Sequence, residues 1–267
     1  MKLKFENFFD LNNKNVYVIG GSGLIGSEII KDLIQVNANV ICLDNKKPKS
    51  IFFKKNNFDF LNFDCEEILK KPDILEEIFN KKGKPFSLIN CSYPRDQDWT
   101  KNDFRRIKFD SFKKNIEIHL HTYIWIAKKT ADYMIKRKIS GNILLFSSIY
   151  GFLGQDLNLY KRTQMRENMT YSIIKGAIIN YIRQMSSFYG KYKIRVNSIS
   201  PGGLIGHNAG NTKFQNKNFI KNYSNKVPLR RLGKPAEISK SVVFLVSPMA
   251  SYITGTNFIV DGGISIV

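Results

Sequence analysis

No run of about twenty apolar residues occurs in this 267-residue chain, and no charged-then-apolar leader opens it. Neither a membrane span nor a secretory signal is expected, and a soluble cytoplasmic protein is the resulting reading. Cysteine is scarce. Cys42, Cys65 and Cys91 are odd in number, lack metal-ligand spacing and fall in or beside apolar runs, so reduced core residues are expected rather than a disulfide framework. Of the three histidines, His119 and His121 stand two apart on a helical segment and do not share a face, so no metal site is expected; packing or surface is the reading for both. Low-complexity segments and internal repeats are also missing. Acidic residues are few, 22 against 42 Lys and Arg, giving a formal charge of +20. The bases are scattered in pairs such as Lys46-Lys47, Lys113-Lys114 and Arg230-Arg231, with no basic block or interleaved aromatic platform. Solvated helix faces explain this better than nucleic-acid binding.

What is present is a chain with 43% hydrophobic residues, enough to bury a three-layer core as one domain over 1–267. Val16–Ile19 reads as a short buried strand running into Gly20-Gly-Ser-Gly-Leu-Ile-Gly26. Leu24, Ile25, Ile29, Ile30, Leu33 and Ile34 then recur at helical spacing. A glycine loop between a strand and a helix start can turn tightly and approach a pyrophosphate, whose charge the free amides and the helix dipole favour. A second strand, Asn39–Leu43, ends in Asp44, about twenty residues beyond the loop, where an acid accepts hydrogen bonds from an adenosine ribose. A carboxylate there repels a 2′-phosphate and favours NAD over NADP, although Lys46 and Lys47 follow closely. Further strands are expected near Phe58–Asn62, Ser87–Cys91, Asn142–Ser147, Arg195–Ser200 and Asn257–Val260, alternating with helical patterns. That alternation predicts an α/β fold, a doubly wound parallel sheet of Rossmann type with helices on both faces. Its ligands belong at the carboxyl ends of the strands, where Asp44, Asp64, Asn90, Ser148 and Pro201 fall.

Tyr171-Ser-Ile-Ile-Lys175 places a phenol and an ammonium on one helix face, an arrangement in which the cation can acidify the phenol for proton transfer. Taken with the glycine loop, Asp64, Asn115, Ser147-Ser148, Asn197-Ser-Ile-Ser-Pro-Gly-Gly203 and Gly255-x-x-x-x-Val260-Asp-Gly-Gly263, it resembles the short-chain dehydrogenase/reductase family of the classical type, over almost the whole chain. The resemblance implies an NAD(P)-dependent oxidoreductase whose catalytic group is Asn115, Ser148, Tyr171 and Lys175; the second serine of the pair is the one such proteins usually use. Ser148 would hold the substrate oxygen and Tyr171 would exchange a proton with it. Lys175 would lower the phenol's pKa and bind the nicotinamide ribose, and Asn115 would hold, through its main-chain carbonyl, a water linked to Lys175. The same resemblance assigns the dinucleotide to Gly20, Ser22, Gly23, Leu24, Ile25 and Gly26, to Asp44, and to Asp64 with Cys65. It adds Asn90, Cys91 and Ser92, Tyr171 and Lys175, and Pro201, Gly202, Gly203 and Leu204.

Several residues depart from the family pattern. Ile19 stands where a Thr is usual, the loop glycines follow the spacing of extended members with Leu24 at the middle position, and Asn90-Cys-Ser-Tyr93-Pro94 replaces Asn-Asn-Ala-Gly. Ser148 and Tyr171 lie 23 residues apart, longer than usual. The extra segment, Gln155–Thr170, carries Tyr160, Lys161, Arg162, Met165 and Arg166, so 152–170 is expected to wall the substrate pocket. With Ser147-Ser-Ile-Tyr-Gly151 it resembles the flagellin modification protein A subgroup, which implies a sugar-like, anionic substrate in surface-glycan or nonulosonic-acid biosynthesis. The segment His207–Lys226, rich in Asn, Lys and Gly, sits where the family has a lid, giving 203–226 as the lid region. Ile116, Leu120, Ile124, Ile178, Ile179 and Ile182 serve either an oligomer interface or the core, and a homotetramer or homodimer is expected. Two other functions are open: a 3-oxoacyl-carrier-protein reductase, whose positive surface would meet an acidic carrier, and a non-catalytic dinucleotide-binding module.

Overall fold

The structure, a computed structural model, describes residues 9–207 and 215–267. It begins with β1 (Asn15–Ile19), α1 (Leu24–Gln35), β2 (Asn39–Asp44), β3 (Phe58–Asn62), α2 (Glu67–Lys70), α3 (Ile74–Lys82) and β4 (Ser87–Asn90). Then come α4 (Phe109–Asn115), α5 (Thr122–Lys136), β5 (Gly141–Phe146), α6 (Met169–Tyr189), β6 (Ile194–Pro201), α7 (Lys217–Lys226), α8 (Pro235–Val246) and β7 (Asn257–Val260). A π-helical stretch, Ile116–His121, joins α4 to α5.

All seven strands are parallel, in the order β3-β2-β1-β4-β5-β6-β7, so the expected doubly wound sheet is the one observed. The strand limits agree to within a residue or so. Cys91 and Ser147 lie just past β4 and β5, yet their amides still bond to Ile19 O and Ile199 O at 2.9 Å, so the difference is fraying at the strand ends. Side chains alternate along each strand. Val16 and Val18 pack with Ile29, Leu33, Val242 and Val246 under α1 and α8. Tyr17 and Ile19 face the opposite layer, with Ile126, Ile178 and Ile182 from α5 and α6. Of the six residues read as interface or core, Ile178, Ile179 and Ile182 are buried in the monomer, Ile116 and Leu120 are partly buried against the core, and Ile124 is half-buried.

The strand order reverses between β1 and β4, where Ile19 is in register with Asn90. Ligands of such sheets bind at that switch point, outside the carboxyl ends of the strands. The glycine loop and the Asn90–Ser92 turn therefore face each other because of topology alone.

Candidate active site

At the end of β1 the chain turns through Gly20, whose φ is +82°. A β-carbon at Gly20 would stand 2.6 Å from Ser92 backbone atoms, and one at Gly26 would stand 2.2 Å from Gly20 O. Both contacts are with backbone, so the loop closes onto α1 only without side chains there. Gly23 is the N-cap of α1 and no side chain caps it. The first amides, Leu24, Ile25 and Gly26, have no intrahelical acceptor and are available to an anion.

Asp44 bends from β2 toward this loop. Its Oδ2 accepts from Ser22 N and its Oδ1 from Lys46 N, each at 2.9 Å, while Ser22 Oγ donates to Lys46 O at 2.6 Å. Asp64 follows β3 on the surface, its Oδ1 accepting from Glu66 N at 3.0 Å. The Cys65 side chain is core, its thiol pushed up to about 12 chiefly by burial. Across the switch point, Asn90 Oδ1 accepts from Ser92 Oγ at 2.7 Å and Ser92 N at 3.2 Å. Asn90 Nδ2 is buried without a hydrogen-bond partner among the described residues. Burial raises the Cys91 thiol, which points to Ile19 O at 3.2 Å. At the end of β6, Gly202 N bonds Val260 O at 3.0 Å, Gly203 N bonds the Tyr223 hydroxyl, and buried Leu204 bridges to Gly233. A glycine cradle that excludes β-carbons, unpaired helix-start amides, a carboxylate beside them and an orphaned buried amide together fit a dinucleotide.

The reacting side chains gather between β5 and α6. Asn168 caps α6, its Oδ1 accepting from Tyr171 N at 2.8 Å, which fixes the phenol in the first turn. Gln155 holds that cap from the insert, donating to Asn168 O at 2.8 Å and accepting from Asn168 N at 3.1 Å. The two adjacent serines have different tasks. Ser147 Oγ donates to Lys175 O at 2.8 Å and is spent on packing β5 against α6. Ser148 Oγ caps the next turn from Tyr150 N at 3.2 Å and reaches the Tyr171 phenol. Ser148 is thus the serine whose hydroxyl acts on Tyr171.

Burial raises the Tyr171 pKa, opposed by the hydrogen bond to Ser148, and Lys175 Nζ lies 5.6 Å from the Tyr171 ring centroid. Lys175 is itself buried and pushed down to about 7 by desolvation, with Cys91 acting weakly the other way. Its Nζ donates to Phe146 O at 2.8 Å and lies 3.3 Å from His119 Nε2. Asn115 ends α4, where its Oδ1 accepts from Asp96 N and its Nδ2 donates to Ser111 O, both at 2.9 Å. His119, expected to pack or to lie on the surface, is buried, and it is the helical side chain beside Lys175. The π turn sets its direction, because it shifts later side chains off the 3.6-residue phase that sequence periodicity assumes.

The depressed Lys175 value has a stability consequence with a defined sign. Between about 7 and the free-lysine value of 10.5 the unfolded chain binds the proton more tightly than the folded one, so stability rises with pH across that window and is lost as pH falls toward 7. The excess unfolding free energy of the unliganded wild type over Lys175→Met should therefore grow with pH there; a difference independent of pH would contradict the assignment.

Around the phenol stand Tyr93 and Trp99, edge-on at ring-centroid distances of 5.8 and 6.2 Å, and Tyr93 also meets His207 at 6.2 Å. Arg95 lies over the Tyr93 ring at 5.2 Å. The insert packs on α7: Leu159 joins Phe219 and Tyr223 in a small core of their own, with Tyr160 and Met165 against it. Asn222 Nδ2 donates to Lys161 O at 2.9 Å, and Lys226 pairs with Asp156 at 2.6 Å. Arg162 and Arg166 are exposed. Residues 208–214 of the expected lid lie outside the described residues.

Residues 24–265 match the model of a family described as enoyl-(acyl carrier protein) reductase. The chain belongs to the short-chain dehydrogenase/reductase family. Among curated relatives, post-translational flagellin modification protein A of Campylobacter coli is 26% identical over 262 residues, covering 95% of this chain and 98% of the relative. The 3-oxoacyl-(acyl-carrier-protein) reductase FabG of Buchnera aphidicola is 29% identical, with 95% and 98% covered. Among solved structures, a short-chain dehydrogenase of Leptospira borgpetersenii with bound NAD+ aligns with a TM-score of 0.86 at 32% identity, over 99% of this chain and 97% of that one. As a family member this chain is an oxidoreductase of the NAD(P)-binding type.

Proposed function

We propose that the protein is an NAD-dependent dehydrogenase or reductase acting on a secondary alcohol or ketone of an anionic, sugar-like molecule in surface-glycan or flagellin-sugar biosynthesis. The observation that carries the reading is the convergence of Ser148, Tyr171 and Lys175 at the end of β5, beside a glycine cradle that ends at Asp44. When bound, the dinucleotide supplies or accepts hydride. The glycine-loop amides and Asn90 would hold it, with Asp44 on the adenosine ribose and the Pro201–Leu204 turn at the nicotinamide end. Ser148 donates to the substrate oxygen and Tyr171 passes it a proton or removes one; Lys175 positions the nicotinamide ribose.

Insert 152–170 and lid region 203–226 wall the substrate pocket, a role that suits their shared packing. Arg95, beside Tyr93, and Arg162 and Arg166 on the insert provide positive charge for an anionic substrate. The flagellin-modification relative supports the sugar assignment. Replacing Arg162 and Arg166 with Gln should raise KM for an anionic substrate by roughly threefold to tenfold and leave kcat unchanged, in line with the modest worth of exposed charges. An unchanged KM removes the electrostatic argument. A carrier-protein reductase is the second reading, favoured by the FabG relative and the charge of +20 and opposed by Asp44, since such reductases usually use NADPH. The discriminating assay compares NAD reduction by acidic and neutral sugars with NADPH oxidation by a 3-oxoacyl thioester. Turnover of the thioester alone selects the second reading. The protein is proposed to work in the cytoplasm as a homotetramer or homodimer, and a monomer mass in solution at micromolar concentration contradicts the assembly.

A further inference from the structure

His119 sits on the π-helical stretch between α4 and α5 with its side chain wholly buried. The rings of Tyr93, Trp99 and Tyr123 surround it at centroid distances of 5.5, 6.2 and 5.2 Å. One ring nitrogen, Nε2, lies 3.3 Å from Lys175 Nζ; the other, Nδ1, is buried with no hydrogen-bond partner among the described residues. As packing alone this is a poor choice of residue, because an unpaired buried nitrogen destabilises the fold and leucine would fill the space without that penalty. A hydrogen bond from an ammonium is stronger than one between neutral groups and offsets the orphaned nitrogen. The wide turn is itself secured, since Thr122 Oγ1 donates to the carbonyls of Ile118 and His119 at 2.8 and 3.0 Å. π turns of this kind recur at functional sites.

We propose that His119 is a positioning residue for Lys175: its neutral imidazole accepts through Nε2 from the ammonium, holds Nζ near the Phe146 carbonyl, and extends the pH range over which Lys175 remains charged. Nδ1 then carries the ring proton. The inference rests on the reading of Lys175 as part of the reacting group. The ionisable groups facing the pair are Tyr171 from α6, Tyr123 from α5, and Cys91 and Tyr93 from the turn after β4. Burial holds all four above their ordinary values, so they stay neutral around pH 7. Burial, and then the charge of Lys175, hold His119 well below its ordinary value. Lys175 is accordingly the member of this group that changes charge near neutrality.

The test is the pH profile of kcat/KM for wild type, His119→Leu and His119→Gln, with dinucleotide affinity and unfolding measured on the same samples. Leucine removes the acceptor, so the limb on which activity falls as Lys175 loses its proton should move to lower pH by about one unit, roughly a tenfold loss on the alkaline side and little change on the acid side. Glutamine keeps an acceptor and should restore most of the difference. A folded His119→Leu protein with an unmoved limb, or with the same loss at every pH, overturns the role. Should His119→Leu not fold, nitrogen NMR of the wild-type imidazole decides: a neutral ring whose Nε2 resonance responds to Lys175→Met supports it, and one that does not respond overturns it. An unmoved limb together with an inactive Tyr171→Phe sinks this inference alone, whereas an active Tyr171→Phe sinks the functional reading beneath it.

Discussion

Tyr171→Phe should fold, bind dinucleotide within about twofold of wild type, and lose about 10²–10⁴-fold in kcat, the usual worth of a positioned general acid or base. The substitution removes one oxygen and leaves the ring packing, in which Tyr93 and Trp99 meet Tyr171 edge-on, intact. The α6 cap is also untouched, because Asn168 accepts from the Tyr171 backbone and not from its hydroxyl. The loss should therefore appear in kcat and kcat/KM together, the pattern of an interaction made in the transition state. Steady-state kinetics beside thermal denaturation separates this from misfolding. Full activity in the variant would remove the phenol from the chemistry, and a loss confined to KM would reduce it to a binding group.

The second large effect is expected at Gly26. An added β-carbon would stand 2.2 Å from Gly20 O and 2.7 Å from Gly21 Cα, both backbone atoms that cannot swing aside. Gly26→Ala must push the loop off the start of α1, which costs about 1–3 kcal/mol of stability, as overpacking generally does. It also displaces the helix-start amides, so dinucleotide affinity should fall by about a hundredfold or more, comparable to losing two charge-assisted hydrogen bonds. Fluorescence titration with the reduced dinucleotide, with unfolding midpoints on the same samples, measures both effects. Binding within twofold of wild type would show that the loop does not meet the phosphates.

The sheet was legible because its signals are local and repeated. Apolar runs such as Val16–Ile19 and Asn39–Leu43 are short, bounded by turn residues and alternate with helical patterns, and parallel strands so connected have few permissible topologies. The glycine loop was legible for the same reason, since its neighbours name its context. Ser148 came from resemblance, and the structure adds the physical ground: Ser147 is committed to the Lys175 carbonyl. What could not be read is what depends on burial and helix phase. A Tyr–Lys pair four residues apart suggests a cation beside a phenol, and Lys175 Nζ does lie 5.6 Å from the Tyr171 ring centroid; what the spacing does not give is that Nζ also meets Phe146 O and His119, and that desolvation is the largest influence on both groups. His119 lies on a π turn, whose phase sequence periodicity does not give, so its place beside Lys175 was not legible. The union of the insert with α7 through Leu159, Phe219 and Tyr223 is a contact between distant segments that no local pattern announces.

Titration of the purified protein with NADH and NADPH, followed by nicotinamide fluorescence and repeated on Asp44→Ala, most directly tests whether this site holds NAD through Asp44. Tight NADH and weak NADPH binding, brought close to equal by the substitution, is the predicted result. A preference for NADPH, or no binding of either dinucleotide, would contradict it.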